Sequence, residues 1–204
     1  GENPALTLAL PGSKSDTYEG GQMKQGNTLA GGQFDWLLKD GIKLNEILQY
    51  RYPLDEEMEK AGLRIIYLGY FMNEWTKLDN GLFAGLRGLS IRSDIPSEIG
   101  DILGVDSLDE DWVVLNQMIK YYKFGFGKVT EIVSEEIRYR GMEREKAIDL
   151  VKRFDGKCSR ENIESFCDFI ELSVGDFWKI VDSFVNKNLF SKIKGVWQPT
   201  FEVK

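Results

Sequence analysis

The stretch "KYYKFGFGKVTEIVSEEIR" gathers Lys120, Lys123, Lys128 and Arg138 around Phe124, Gly125, Phe126 and Gly127. Cations of this kind add charge-assisted hydrogen bonds to phosphate, and glycines let backbone N–H groups turn outward toward the same anion. The pattern fits a diphosphate contact. It also fits a stacking platform for single-stranded nucleic acid, or a joint between two helices whose phenylalanines plug the core while the lysines stay solvated. Two further candidates sit elsewhere. Gly1, Glu2 and Asn3 begin a Gly-Glu-Asn-Pro turn of the kind that normally follows a strand. Asn73, with Glu74 and Trp75, follows an apolar run, where it is placed for a substrate or a subunit contact.

Composition narrows these options. The 204 residues are 42% hydrophobic and 29% charged, as in a globular protein able to bury a core. A formal charge of -7 repels a polyanion at long range, so phosphate contact must come from a local cluster and general nucleic-acid binding is disfavoured. With two cysteines and no histidine in the chain, neither a zinc site nor a His-based acid, base or triad is expected from it. Cys158 and Cys167, nine positions apart, read as reduced, packed cytoplasmic thiols. No apolar run approaches the roughly 20 residues of a membrane span.

The positioning elements follow from periodicity. Residues 1–34 are glycine-rich and show neither a helical nor an alternating pattern, so a long loop is expected, with Gly20 and Gly21 in a lid or a simple insertion. Short helices are expected after Phe34 and over "YPLDEEMEKAG", closed by Gly62. "LRIIYLGYF" predicts one buried strand, Ile65–Phe71, and "KLDNGLFAGLRGL" a glycine-weakened helix. From Ser107 onward the pattern is helical, with Ser107, Thr130, Ser159 and Ser173 as N-caps and Gly141 and Gly156 as stops. "GVWQPTFEV" predicts an extended tail docked through Trp197 and Phe201. The expected division is an α/β part over 1–106 and a helical subdomain over 107–204.

Six segments occur in order: "GENPA", "YLGYF", "KFGFGK", "EIR", "DGK" and "FWKIVDSF". With them the chain resembles the C-terminal portion of the N-acetyl sugar amidotransferase family, which serves lipopolysaccharide and related bacterial surface-sugar synthesis. The resemblance implies an α/β fold: the C-terminal part of a Rossmann-like PP-loop (adenine nucleotide alpha hydrolase-like) domain, followed by a mainly α-helical subdomain. It implies a cytoplasmic, ATP- and Mg²⁺-dependent enzyme that adenylates the acetamido oxygen of a UDP-linked N-acetyl sugar. Ammonia, delivered by a glutaminase subunit and a cyclase-like barrel subunit, then displaces AMP and leaves an acetamidino group. The family's SGGxDS pyrophosphate loop and N-terminal cysteine motif do not occur in these residues. They are expected upstream of Gly1, so this chain is expected to be the C-terminal part of something longer and not to turn over ATP alone.

Carried onto this sequence, the resemblance puts Gly1 and Asn3 beside the nucleotide, with Asn3 on ATP or the adenylated amide and Glu2 on Mg²⁺ or an amine. It puts Lys120, Lys123, Gly125, Gly127, Lys128 and Arg138, with Asn73, on the substrate side. A different class of reading makes the helical end a non-catalytic module that docks the ammonia-supplying partner.

Overall fold

The computed structural model describes residues 17–19, 35–50, 53–62, 64–66, 71–72, 75–93, 96–139 and 141–204. Two compact units divide between Trp75 and Thr76. The first holds β1 (Thr17–Glu19), a 3-10 turn (Asp35–Asp40), α1 (Leu44–Ile47), α2 (Asp55–Ala61) and β2 (Arg64–Ile66). β1 pairs antiparallel with β2, Tyr18 opposite Ile65, so a strand lies inside the segment expected to be loop. The described strand at β2 covers the first residues of the expected one, and 67–70 lie outside the described residues. α2 closes as its sequence predicts: Glu57 accepts from the Leu54 amide at 2.8 Å, and Gly62 ends the helix at φ 61°.

The second unit, residues 76–204, carries α3 (Lys77–Gly85), α4 (Pro96–Ile99), α5 (Val113–Phe124), α6 (Lys128–Tyr139), α7 (Arg144–Phe154), α8 (Arg160–Phe169) and α9 (Val174–Phe184), then a hairpin of β3 (Phe190–Ile193) and β4 (Val196–Pro199). The segment 76–106 falls in the same unit as the helices that follow it. Thr76, only 1% exposed, caps α3 through the Asp79 amide at 3.1 Å, and a Cβ at Gly81 would fall 2.8 Å from the Val105 side chain. Among the described residues no helix is long and apolar enough to cross a membrane.

Two apolar cores build this unit. Leu115 and Met118 of α5 meet Ile163 and Cys167 of α8, Phe177 and Val181 of α9, and Phe190 of β3. Val129 and Val133 of α6 meet Ala147 of α7, with Ile102 and Phe154 at the margin. Both sets fall at helical spacing, which is why periodicity found the helices. Ser159 and Ser173 cap α8 and α9 through the Asn162 and Asp176 amides, each at 3.1 Å.

Three local expectations are corrected. Ser107 adopts φ 50° and does not cap; α5 begins only at Val113, because the acidic "SLDEDW" segment forms turns tied by Glu110 to the Trp112 amide at 2.5 Å. Thr130 lies inside α6, and its hydroxyl donates to Asp155. The C-terminal tail is half of a hairpin, turned by Lys194 (φ 50°) and Gly195 (φ 82°), the positive pair that suits the twist of a two-residue connection. Trp197 and Phe201 pack against the first core, as expected of docking residues.

Candidate functional site

The "KFGFGK" turn forms where α5 stops and α6 starts. Gly125 takes φ 80° and its N–H returns to the Tyr121 carbonyl at 2.7 Å, a left-handed C-cap open to glycine at little cost. Two residues on, the buried Asp155 carboxylate reaches in from the end of α7. It accepts from the Gly127 amide at 2.8 Å, the Val129 amide at 3.0 Å and the Thr130 hydroxyl at 2.6 Å. A Cβ on Gly127 would lie 2.7 Å from that carboxylate, so glycine is what lets it approach. The expectation of outward-facing amides is corrected here. The helix N-terminus does bind an anion, as its orphan donors and dipole favour, but the anion belongs to the chain. Burial, and then the charge of Asp155, push the Tyr121 hydroxyl beside it up to about 12.

The cations of the segment fall into two sets, Lys120 and Lys128 drawn into ion pairs and Lys123 and Arg138 exposed. Lys120 pairs with Glu131 and lies 5.0 Å from the Phe126 ring centroid. Lys128 pairs with Asp106, which also meets Lys77 at 3.4 Å. Lys123 is exposed, its ammonium 5.3 Å from the centroid of Phe124 and 5.8 Å from that of Phe184. Arg138 is exposed near the far end of α6. Phe124 itself is 55% exposed, so of the two phenylalanines only Phe126 is withdrawn from solvent. Gly1, Glu2, Asn3 and Asn73 lie outside the described residues.

What the folding assembles instead is a charged seam. Lys77, Lys120 and Lys128 alternate with Asp106, Glu131 and the buried Glu135 and Glu136. Burial alone would raise Asp106, but Lys128 and Lys77 outweigh it and hold the carboxyl below the usual aspartate range. For Lys77 burial pulls down, and Asp106 overrides it upward. Beneath Asp106 and Lys128 lies a cavity of about 20 Å³, walled in part by Asp101, Ser107 and Gln117. The Gln117 Oε1 aimed into that region is buried without a partner. The volume suits one water, which would satisfy it. The seam is thus a locally neutralised network in which Asp106 and Glu131 already occupy Lys128 and Lys120.

Glu136 gives the seam a pH signature. Burial, then the charges of Asp79 and Glu135, raise its carboxyl above the usual glutamate range. A group raised in the folded state favours folding below its unfolded value, and that contribution is lost as pH rises through the folded value. Glu136→Gln is therefore expected to raise the denaturant midpoint near neutral pH, with the gap closing as pH falls below the glutamate range. A gap independent of pH would contradict this.

Asp155, Asp106 and the paired glutamates escaped the sequence reading. "DGK" carried the signal for Asp155, since an acid before a helix-stop glycine can cap a neighbouring helix, but its target lies 28 residues away. Burial pushes the Cys158 thiol up to about 12, which disfavours the thiolate.

Comparison with known proteins then bears on role. No curated protein matches the chain. Residues 106–203 match the family model described as LPS biosynthesis protein WbpG-like, C-terminal domain. The match runs from Asp106 of the seam, through the Asp155-capped turn, to the closing hairpin, and takes in the "KFGFGK", "DGK" and "FWKIVDSF" segments on which the resemblance rests. Over these residues the chain is similar to the C-terminal domain of WbpG-like lipopolysaccharide-biosynthesis proteins.

Proposed function

We propose that the chain is the C-terminal part of an ATP-dependent amidotransferase of lipopolysaccharide and O-antigen synthesis. Its substrate is a UDP-linked N-acetyl sugar, whose acetamido group becomes acetamidino. An amide carbonyl is a poor electrophile and oxide a poor leaving group, so the oxygen must first be made a phosphate ester. The acetamido oxygen attacks the α-phosphate of Mg-ATP and pyrophosphate leaves. Ammonia adds to the activated carbon, the C–O bond breaks, AMP carries the oxygen away, and the added nitrogen gives up its surplus protons. The observation that carries the reading is the family match over 106–203, a lipopolysaccharide-biosynthesis domain in the segment where the resemblance is densest.

In this reading a Rossmann-like PP-loop sheet, with Gly1, Glu2 and Asn3 beside it, holds the nucleotide. Asn73 lies on the substrate side. Ammonia comes from a glutaminase through a cyclase-like barrel subunit. The diphosphate contact shifts toward Lys123, which is exposed, while Lys120 and Lys128 serve first as partners of Glu131 and Asp106. The test uses the complete protein with ATP, UDP-N-acetyl sugar and ammonium chloride. It is expected to release AMP and pyrophosphate and to yield a sugar in which one oxygen is exchanged for NH. Lys123→Ala is expected to weaken UDP-sugar binding about tenfold, roughly 1.4 kcal/mol. Absence of AMP would reject the activity, and unchanged affinity would remove Lys123 from the site.

A second reading, a docking module for the ammonia-supplying partner, is favoured by one observation. Leu82, Leu86 and Ile91 are 59%, 86% and 54% exposed and line one apolar groove on α3 and the segment after it. Here Leu86→Asp is expected to weaken co-purification with the glutaminase–barrel pair at least about tenfold while UDP-sugar affinity holds. Unaltered association would dismiss it.

A further inference from the structure

The closing hairpin builds a second cavity that neither the seam nor the turn uses. Trp178 and Asp182 stand one turn apart on α9, so they share a face. Lys192 and Trp197 are cross-strand partners on β3 and β4, so their side chains project from the same side of the hairpin. The two pairs are clamped together at Asp182. Trp197 Nε1 donates to Asp182 Oδ1 at 2.7 Å, Lys192 donates to Oδ2, and the Lys192 ammonium lies 5.3 Å from the Trp197 ring centroid. Tyr122 of α5 completes the wall, and Gly195 at the hairpin turn leaves the rim without a side chain. The enclosed space is about 250 Å³.

The geometry points to a saccharide-binding site here, with Trp178 and Trp197 stacking on a pyranose ring and Asp182 and Lys192 hydrogen-bonding its hydroxyls. Indoles present a flat apolar face to the C–H side of a sugar. A carboxylate only accepts and an ammonium only donates, so the pair can hold hydroxyls in both senses. The charge balance selects the ligand. Asp182 and Lys192 already hold each other, and Lys187 also acts on the carboxylate, so an added ion must compete with a partner in place. A neutral polyol meets no such penalty. Size selects as well: about 250 Å³ falls below the roughly 300–1,000 Å³ of sites for drug-sized ligands, enough for one ring and too small for a nucleotide sugar entire. Both tryptophans and Tyr122 are only half-buried, so the aromatic faces are not wholly spent on the core. The inference stands apart from the amidotransferase reading, since it needs neither ATP nor the diphosphate contact. Within lipopolysaccharide synthesis it would let the domain hold a sugar unit away from the reacting one.

The test is a titration of the chain with N-acetylglucosamine, methyl glucoside, UDP and choline chloride, followed through tryptophan indole N–H resonances. A saturable shift of the Trp197 resonance with at least one sugar, and none with UDP or choline, is the expected result. Asp182→Asn and Trp178→Ala are each expected to weaken that sugar at least about tenfold. Should Trp178→Ala fail to fold, judged by its thermal melt, Lys192→Met takes its place, because that side chain is 40% exposed. No saturable shift with either sugar, a response to choline instead, or variants that bind sugar as tightly as the parent would each overturn the assignment.

Discussion

Replacing Asp155 by alanine is expected to destabilise the second unit by about 3 kcal/mol, a large part of a typical domain's margin. The residue is 7% exposed, and its carboxylate accepts the Gly127 and Val129 amides at the start of α6 together with the Thr130 hydroxyl. An ordinary N-cap removed to alanine costs about 1 kcal/mol, because water takes over the orphan donors. Here the donors are buried, so Gly127 and Val129 N–H groups would keep little access to water and bear most of their desolvation cost. Loss of the anion from the positive end of α6 adds to it. Asp155→Asn keeps one acceptor oxygen and turns an N–H₂ toward donors, so it should fall between the parent and Asp155→Ala. Urea unfolding followed by far-ultraviolet circular dichroism measures both. A cost below about 1 kcal/mol for the alanine variant would mean that α6 is capped adequately by solvent.

The same contact explains what could and could not be read from the residues in order. Local signals carried well: Ser159, Ser173 and Gly62 act within three or four positions of themselves, and the apolar stripes of α5 to α9 predicted the cores they join. Asp155 failed because its partners lie far along the chain and only folding brings them close. For the same reason Lys120 and Lys128 looked like a phosphate cluster, since Glu131 sits on the next helix and Asp106 lies 22 residues before Lys128. The hairpin was missed because "KG" at 194–195 is a weaker turn signal than Asn-Gly, and Pro199 reads against a strand. The resemblance located the role in surface-sugar synthesis from short segments in the right order. What those segments do physically, "DGK" capping "KFGFGK", became visible only in three dimensions.

That pairing sets up the other large effect, at Gly156. Gly156→Ala is expected to cost about 3 kcal/mol, from two sources that can be separated. At φ 72° an added Cβ crowds its own carbonyl, worth about 1–2 kcal/mol for an ordinary residue in the left-handed region. The same Cβ would also sit within 2.5 Å of Tyr121 Cγ, too close for any packing adjustment short of moving the ring. Tyr121 has little room to yield, because its ring stacks edge-on against the buried Phe190 at 5.2 Å. Introducing Gly156→Ala into a Tyr121→Ala background removes the obstacle and leaves the backbone strain, so the cost there should drop to about 1–2 kcal/mol. The coupling between the two positions, read from urea midpoints of the four proteins, then reports the contact itself. Equal costs in both backgrounds would show that the ring does not hold Gly156 in place, and with it would go the account of "DGK" as the element that fixes Asp155 against the α6 amides.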